Sequence, residues 1–359
     1  MKAASAIQPN LRRLWRATFL FGFLASPVLA NQFEECVGRY QLALPGIAQP
    51  ATVTPRVVDR KYVEEPIQFP DGQPANLSTF RVNGRFEITR ELTLAEYVAF
   101  KDVLKRRIDE AGRDNKDLLR IEMSTDRPHA YAYFGSASSG FSIYADGQMV
   151  TFRTAGYGDN AEAGKAKIQK ILNGLAFRKD FEVPRGAGVC LPGVFVALEE
   201  NDHRDVGVTY RLKEHPDVTI LFKDKTSAKP IEMVDVHNMP VGRRTNLTSR
   251  EQNEFVWKYS GLGRAVKLDH DPLPFQNVEL DGRKGVSSFG TITRDDGTID
   301  FAYLATVQGD PNAAVDTPDL MLLVQRTAKY AKGSPPVSKD ELKKIAKDIA
   351  ASVIRRPVQ

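Results

Sequence analysis

The stretch FRKDFEVPRGAGVCLPG, Phe177 to Gly193, divides the chain and carries the second of its two cysteines, Cys190. A helix-period run leads into it from Ala161 to Leu175, with Ile168, Ile171, Leu172 and Leu175 at i, i+3, i+4 and i+7. A short apolar run, Val194 to Leu198, leads out of it. The other cysteine opens the first half in similar company: Cys36-Val37-Gly38-Arg39-Tyr40 and a strand-like run to Leu44. Each half therefore starts at a cysteine and ends in a helix.

Working outward, residues 47–90 hold Pro50, Pro55, Pro66, Pro70 and Pro74 between short β-type runs, a pattern of strands broken by turns. Thr93 and Glu96 form a capping box before a helix that Gly112 stops. Strands follow at Leu118–Met123 and His129–Phe134, then a hairpin across Asp146-Gly147, a strong turn signal between alternating runs. In the second half, strands are expected after Cys190, at Val218–Phe222, Val278–Leu280, Phe289–Thr293, Ile299–Ala305 and Leu320–Val324. The alternation of Phe255, Trp257 and Tyr259 favours a strand, although Thr248 and Glu251 could cap a short helix there. Ser338 and Glu341 cap a last helix with Leu342, Ile345, Ala346, Ile349 and Val353 on its core face.

The halves echo each other. Cys36 to Gly147 is 111 positions and Cys190 to Gly297 is 107. The exits of the two helices, Leu175-Ala176-Phe177-Arg178 and Ser352-Val353-Ile354-Arg355, are alike. The fold class this predicts is α+β: two sequential, duplicated domains, residues 31–182 and 183–359, each an antiparallel β-sheet packed with amphipathic helices. A length of 359 residues suits two domains of ordinary size.

Residues 1–30 read as a cleaved signal peptide. Lys2, Arg12, Arg13 and Arg16 precede a short apolar core, Leu14 to Leu24, and small residues Val28 and Ala30 stand at −3 and −1 of a cut after Ala30. The apolar run is too short for a permanent span. The whole chain has 50 Lys and Arg against 45 Asp and Glu; without those four basic residues the balance is 46 to 45. So even a charge excludes the broad basic footprint expected for nucleic acid. Export makes a Cys36–Cys190 disulfide the expectation, closing a loop of 154 positions for about 5 kcal/mol of unfolded-chain entropy. The alternative is two buried thiols.

A search for chemistry finds no catalytic, cofactor-binding or metal-ligating constellation. Gly285-Val286-Ser287-Ser288-Phe289 lacks the second glycine of a nucleophile elbow. Gly261-Leu262-Gly263 lacks the third glycine of a dinucleotide fingerprint. The five histidines, 129, 203, 215, 237 and 270, never come within 12 positions of one another. Asp269-His270-Asp271 is the one acid–histidine cluster, without a partner nucleophile. The lysines at 339, 343, 344 and 347 read as solvated helix surface.

The motifs, in order, resemble the immunity proteins that act against type VI secretion phospholipases of the fourth Tle class. The resemblance rests on Cys36-Val37-Gly38-Arg39-Tyr40 with Leu44-Pro45, Gly188-Val189-Cys190, His215-Pro216-Asp217-Val218, Gly242-Arg243-Arg244, Phe255-Val256-Trp257 with Gly261, and the closing Ser352 to Pro357. It departs at Ser249-Arg250-Glu251 and Lys258, where the family pattern carries acids, which leaves the cognate toxin open. The resemblance implies a periplasmic, non-enzymatic protein of two α+β domains that grips a phospholipase effector and blocks it. It implies no cofactor, no nucleic acid and no integral membrane segment after signal cleavage. Its partner-binding residues are unassigned; exposed loops, including Asp310 to Thr317, are candidates. Two alternatives are a periplasmic ligand- or lipid-binding envelope protein and a hydrolase centred on His270.

Overall fold

Strand-forming runs dominate the chain, and the computed structural model pairs them antiparallel throughout. It describes residues 33–53, 66–114, 120–156, 160–198, 203–228, 247–260, 265–269 and 273–358. The segment read as a signal peptide, Gly242-Arg243-Arg244, Gly261-Leu262-Gly263, and His270 with Asp271 lie outside the described residues.

The first half runs β1 (Phe33–Val37), β2 (Tyr40–Leu44), β3 (Ala48–Pro50), β4 (Thr52–Val53), β5 (Ile67–Gln68), β6 (Thr79–Val82), β7 (Arg85–Arg90), α1 (Leu94–Asp114), β8 (Arg120–Met123), β9 (Ala130–Gly135), β10 (Ser138–Ala145), β11 (Gln148–Ala155), α2 (Ala161–Asn173) and β12 (Leu175–Phe177). The second half runs β13 (Val189–Leu191), β14 (Val194–Val196), β15 (Arg204–Leu212), β16 (Val218–Lys225), α3 (Ser249–Tyr259), β17 (Ala265–Leu268), β18 (Gln276–Leu280), β19 (Arg283–Thr293), β20 (Ile299–Val307), β21 (Asp319–Arg326), α4 (Lys339–Ser352) and β22 (Ile354–Arg355). The α+β class with antiparallel sheets and packed helices is as expected.

Strand order tells more than the element list. One 14-stranded sheet crosses from one half to the other, in the order β17-β19-β20-β21-β16-β15-β6-β7-β11-β10-β9-β8, with β18 on β19 and β3 on β15. Outward from the β6–β15 seam, the first half reads β6-β7-β11-β10-β9-β8 and the second β15-β16-β21-β20-β19-β17. The two orders correspond strand for strand. The two Asp-Gly hairpins, aligned in the sequence reading, do not correspond. Asp146-Gly147 joins β10 to β11, but Asp296-Gly297 joins β19 to β20, one strand earlier. Near-equal spacing from the cysteines hid this because the stretch between β16 and α3, together with β18, lengthens the second half before its turn.

The sheet has one well-covered face. Helices α2 and α4 lie on it, with the small sheets β1-β2-β22 and β12-β14-β13, around Tyr40, Phe80, Phe86, Phe141, Phe152, Tyr210 and Phe222. At about 1.5–3 kcal/mol for each large side chain buried, this layer is the dominant stabilising term. The opposite face carries α1 over β8–β10 and α3 over β19 and β20; among the described residues, no helix lies over the central strands.

The small sheets exchange partners. Hairpin β1–β2 opens the chain, yet pairs with β22 at its end; hairpin β13–β14 opens the second half, yet pairs with β12 at the end of the first. Cys36 on β1 and Cys190 on β13 are joined by a disulfide with Cα atoms 5.7 Å apart, as export led us to expect. Gly38 and Cys190 also exchange backbone hydrogen bonds, Gly38 N to Cys190 O at 2.9 Å and Cys190 N to Gly38 O at 2.8 Å.

Local predictions fared unevenly. Thr93–Glu96 closes its capping box, with Glu96 N donating to Thr93 Oγ1 at 3.2 Å and Thr93 N to Glu96 Oε2 at 2.7 Å. Phe255, Trp257 and Tyr259 lie on helix α3, not on a strand: Thr248 and Glu251 form the capping box that starts it. Helical period puts Asn253, Val256 and Trp257 on the buried side, whereas Phe255 and Tyr259 are exposed. Lys339 and Lys343 are not simply solvated surface, since both pair with Asp269, at 2.9 and 2.8 Å, and lie over the Phe289 ring.

Candidate partner-binding face

The open face between α1 and α3 gets its character from strand register. Residues directly opposite each other in adjacent strands project on the same side. Pairing sets Lys225 opposite Asp205, Asp205 opposite Arg81, Arg81 opposite Arg85, and Arg85 opposite Arg153. One transverse row thus crosses β16, β15, β6, β7 and β11. Like charges placed directly opposite disfavour a sheet, and Arg81, Arg85 and Arg153 are three such neighbours.

The carboxylates of this face are already engaged. Asp205 accepts from Thr79 Oγ1 at 3.0 Å and pairs with Lys223 at 2.8 Å. Burial opposes its charge, but Lys223 and the Thr79 hydroxyl hold its carboxyl below the ordinary range. Glu87 lies 3.4 Å from Arg85 Nε. A cavity of about 770 Å³ opens over the row, and Arg81, Arg85, Arg120, Arg153 and Lys225 all line it. Arg120 reaches it from β8, its guanidinium 5.9 Å from the centre of the Tyr133 ring. His203 also lines this cavity.

A second hollow, of about 430 Å³, sits toward α3 and is lined by Thr209, Thr219, Gln325, Asp295 and Asp300 among others. The segment before β6 stands beside it, fixed by Arg211 donating to both Asp71 oxygens at 2.8 Å and by Ser78 bonded to Thr209 at 2.6 Å.

The flanking helices are firmly seated. Trp257 Nε1 donates to Ser288 Oγ at 2.7 Å and Asn253 Oδ1 at 3.0 Å, while Asn253 Nδ2 donates to Leu304 O at 3.2 Å. Tyr97 on α1 donates to Ser142 O at 3.3 Å. Each helix also shows apolar residues to solvent: Leu94 and Val98 on α1, Phe255 and Tyr259 on α3, the latter rings 4.9 Å apart.

The seam that holds this face together is ionic and buried. Arg204 Nε donates to Asp224 Oδ2 at 2.6 Å, and that oxygen also accepts from Arg39 N at 2.9 Å. Glu35 pairs with Arg178 at 2.7 Å. The Asp310–Thr317 loop, a candidate contact in the sequence reading, is anchored here: Val315 O accepts from Arg204 Nη2 at 2.8 Å, and Asp316 pairs with Arg355 at 2.7 Å. Among the described residues, no group of three or more His, Cys, Asp or Glu is arranged to hold a metal ion. None of their helices is long and apolar enough to cross a membrane.

Residues 182–235, which include Cys190, β15, β16 and the Arg204–Asp224 pair, match the family model of the Tle cognate immunity protein 4 C-terminal domain. The chain resembles Tle cognate immunity protein 4. That bears out the family resemblance read from the motifs. Solved structures extend the likeness over almost all of both chains. A chain of the Tle4–Tli4 complex superposes with a TM-score of 0.59 at 15% identity, covering 92% of this chain and 99% of that one. The immunity protein TplEi of the type VI secretion system (T6SS) of Pseudomonas aeruginosa, complexed with an "L" peptide, gives 0.57 at 15% identity over 92% and 100%. Its apo form gives 0.55 at 15% identity over 91% and 98%. At that identity the superpositions speak for the fold. No curated protein matches the chain.

Sequence reasoning located the seam and its cysteines but not the arginine row. Arg81, Arg85, Arg153 and Lys225 are scattered along the chain, and only register unites them.

Proposed function

We propose that this chain is an immunity protein that binds and inhibits a type VI secretion phospholipase effector, protecting the cell from self or sibling intoxication. It acts in the periplasm after removal of residues 1–30. It works by binding, not by catalysis. The observation that carries this reading is the family match over residues 182–235 joined to a fold shared along nearly the whole chain with Tli4-type immunity proteins. The corresponding strand orders support two duplicated lobes, 31–182 and 183–359, meeting at the β6–β15 seam. The broad face between α1 and α3 suits a protein partner. A small-ligand or lipid carrier would need an enclosed, mainly apolar pocket; both hollows described above are open, and charged side chains stand in the lining of each.

The test is co-expression. A fourth-class Tle phospholipase encoded beside this gene is directed to the periplasm of a test bacterium, with and without this protein. Survival that requires residues 1–30, with a stable complex and loss of lipase activity, is expected. Continued killing without complex formation would overturn the pairing.

A further inference from the structure

Building on that reading, we infer that the row Arg81–Arg85–Arg153, with Lys225 at one end and Arg120 beside it, receives an acidic segment of the effector. Four strand steps separate β16 from β11, about 19 Å at the usual spacing of about 4.8 Å. Four cations stand along that line. An extended chain rises about 3.3 Å per residue, so about six residues of a partner would span it. A single phosphate needs donors converging on one point. A spread row instead matches successive carboxylates, each able to take an arginine fork in bidentate fashion.

The charge excess is local. Over the whole chain beyond residue 30 the balance is 46 basic to 45 acidic residues. Yet the cavity over the row is lined by Arg81, Arg85, Arg120, Arg153 and Lys225, with Asp205 as its acidic member once the Arg204–Asp224 pair is set aside. Asp205 is held by Lys223 and Thr79. Among the described residues, Arg120 Nε is buried with no hydrogen-bond partner. A carboxylate-rich partner adds counter-charge to a row in which like charges stand directly opposite one another. The same field steers an acidic partner toward the face and speeds encounter.

The experiment uses the mature chain and the neighbouring lipase. Arg81 and Lys225 are both exposed, and the double variant Arg81→Gln/Lys225→Gln removes charge without adding a clash. Lipase binding is expected to weaken by about thirtyfold. Its salt dependence flattens, and the thermal midpoint holds or rises. Arg81→Glu/Lys225→Glu weakens binding further. If the wild type binds and the Gln pair binds within about threefold with the same salt dependence, the inference fails while the immunity reading stands. A midpoint lowered by more than about 4 °C in the Gln pair would make the row structural and also overturn it. If the wild type ignores the lipase, the immunity reading fails, and a labelled hexaglutamate peptide decides the row. Peptide capture lost in the Glu pair upholds an acidic-segment site. No capture, or capture by phosphatidylglycerol vesicles alone, overturns it.

Discussion

Arg178 and Arg356 hold equivalent places in the two small sheets. Arg178 follows β12 and its N–H donates to Gly193 O at 2.9 Å; Arg356 follows β22 and its N–H donates to Arg39 O at 2.9 Å. Gly193 and Arg39 are the turn residues just before β14 and β2. The sequence comparison of the helix exits was therefore one position out: Leu175–Arg178 corresponds to Val353–Arg356. Both guanidiniums serve the same seam. Arg178 donates to Leu191 O at 3.0 Å and Cys36 O at 3.3 Å, and Arg356 to Gly186 O at 2.7 Å, Gly188 O at 2.8 Å and Pro184 O.

Their costs on removal differ. Arg178→Met leaves the buried Glu35 carboxylate without its cation, with the Cys36 and Phe181 N–H groups still donating to it, and is expected to lose about 3–5 kcal/mol. Among the described residues, Arg356 bonds only to carbonyls and lies over the Phe195 ring, so Arg356→Met should lose about 2 kcal/mol. Urea unfolding of the two variants side by side checks the order. Equal losses would mean that the Glu35 charge carries no weight.

Gly38 is required by its backbone and by its neighbour. Its φ is +59°, and an added Cβ would press on the Asp224 carboxylate that holds Arg204. Gly38→Ala should cost about 3 kcal/mol, from the left-handed conformation and the disturbed ion pair. Unfolding midpoints with the disulfide intact measure it. A loss below about 0.5 kcal/mol, the level of a neutral surface change, would contradict the account.

The disulfide joins segments that backbone bonds already bring together. Cys36→Ala/Cys190→Ala is expected to fold, with stability reduced by about 2–5 kcal/mol. Thiol counting on the unreduced, denatured wild type should find none free. The same midpoint for variant and wild type under non-reducing conditions would deny the bridge any stabilising role.

Asp71 makes stability depend on acid. Its partial burial works against the charge, but hydrogen bonds from Lys332, at 2.6 Å, and Arg211 outweigh it and hold the carboxyl well below the usual carboxylate range. A carboxylate depressed on folding stabilises fully above its unfolded pKa of about 3.9 and loses that contribution as pH falls toward the folded value. Asp71→Asn should therefore lower the thermal midpoint at pH 7, and the gap should close as pH falls below about 4. A gap constant from pH 7 to pH 2 would show that the loss is one of shape, not charge.

What could be read from the sequence was local. Capping boxes at Thr93 and Thr248, the Ser338 N-cap and the Asp146-Gly147 turn depend on neighbours within a few residues, and all four form, although Glu341 does not return the bond that would complete a box at Ser338. Strand β15 was legible but unread: Val206, Val208, Tyr210 and Leu212 alternate, although buried Gly207, Thr209 and Arg211 blur the polar half of the pattern. The short alternation at Phe255–Tyr259 fits both periods, because positions i and i+4 share a face in helix and strand alike. The exchanged hairpins and the arginine row were out of reach, for each depends on which distant strands become neighbours.

The exchange of hairpins bears on the order in which the chain can assemble. Emerging from its N-terminus, β1–β2 meets the partner for Cys36 only when residue 190 arrives, and its third strand only with Ile354–Arg355. The small sheet β1-β2-β22 cannot be finished before Ile354–Arg355 is made. Such long-range closure favours slow, late folding, and a polypeptide that has not yet closed is one that can still be threaded through a narrow channel.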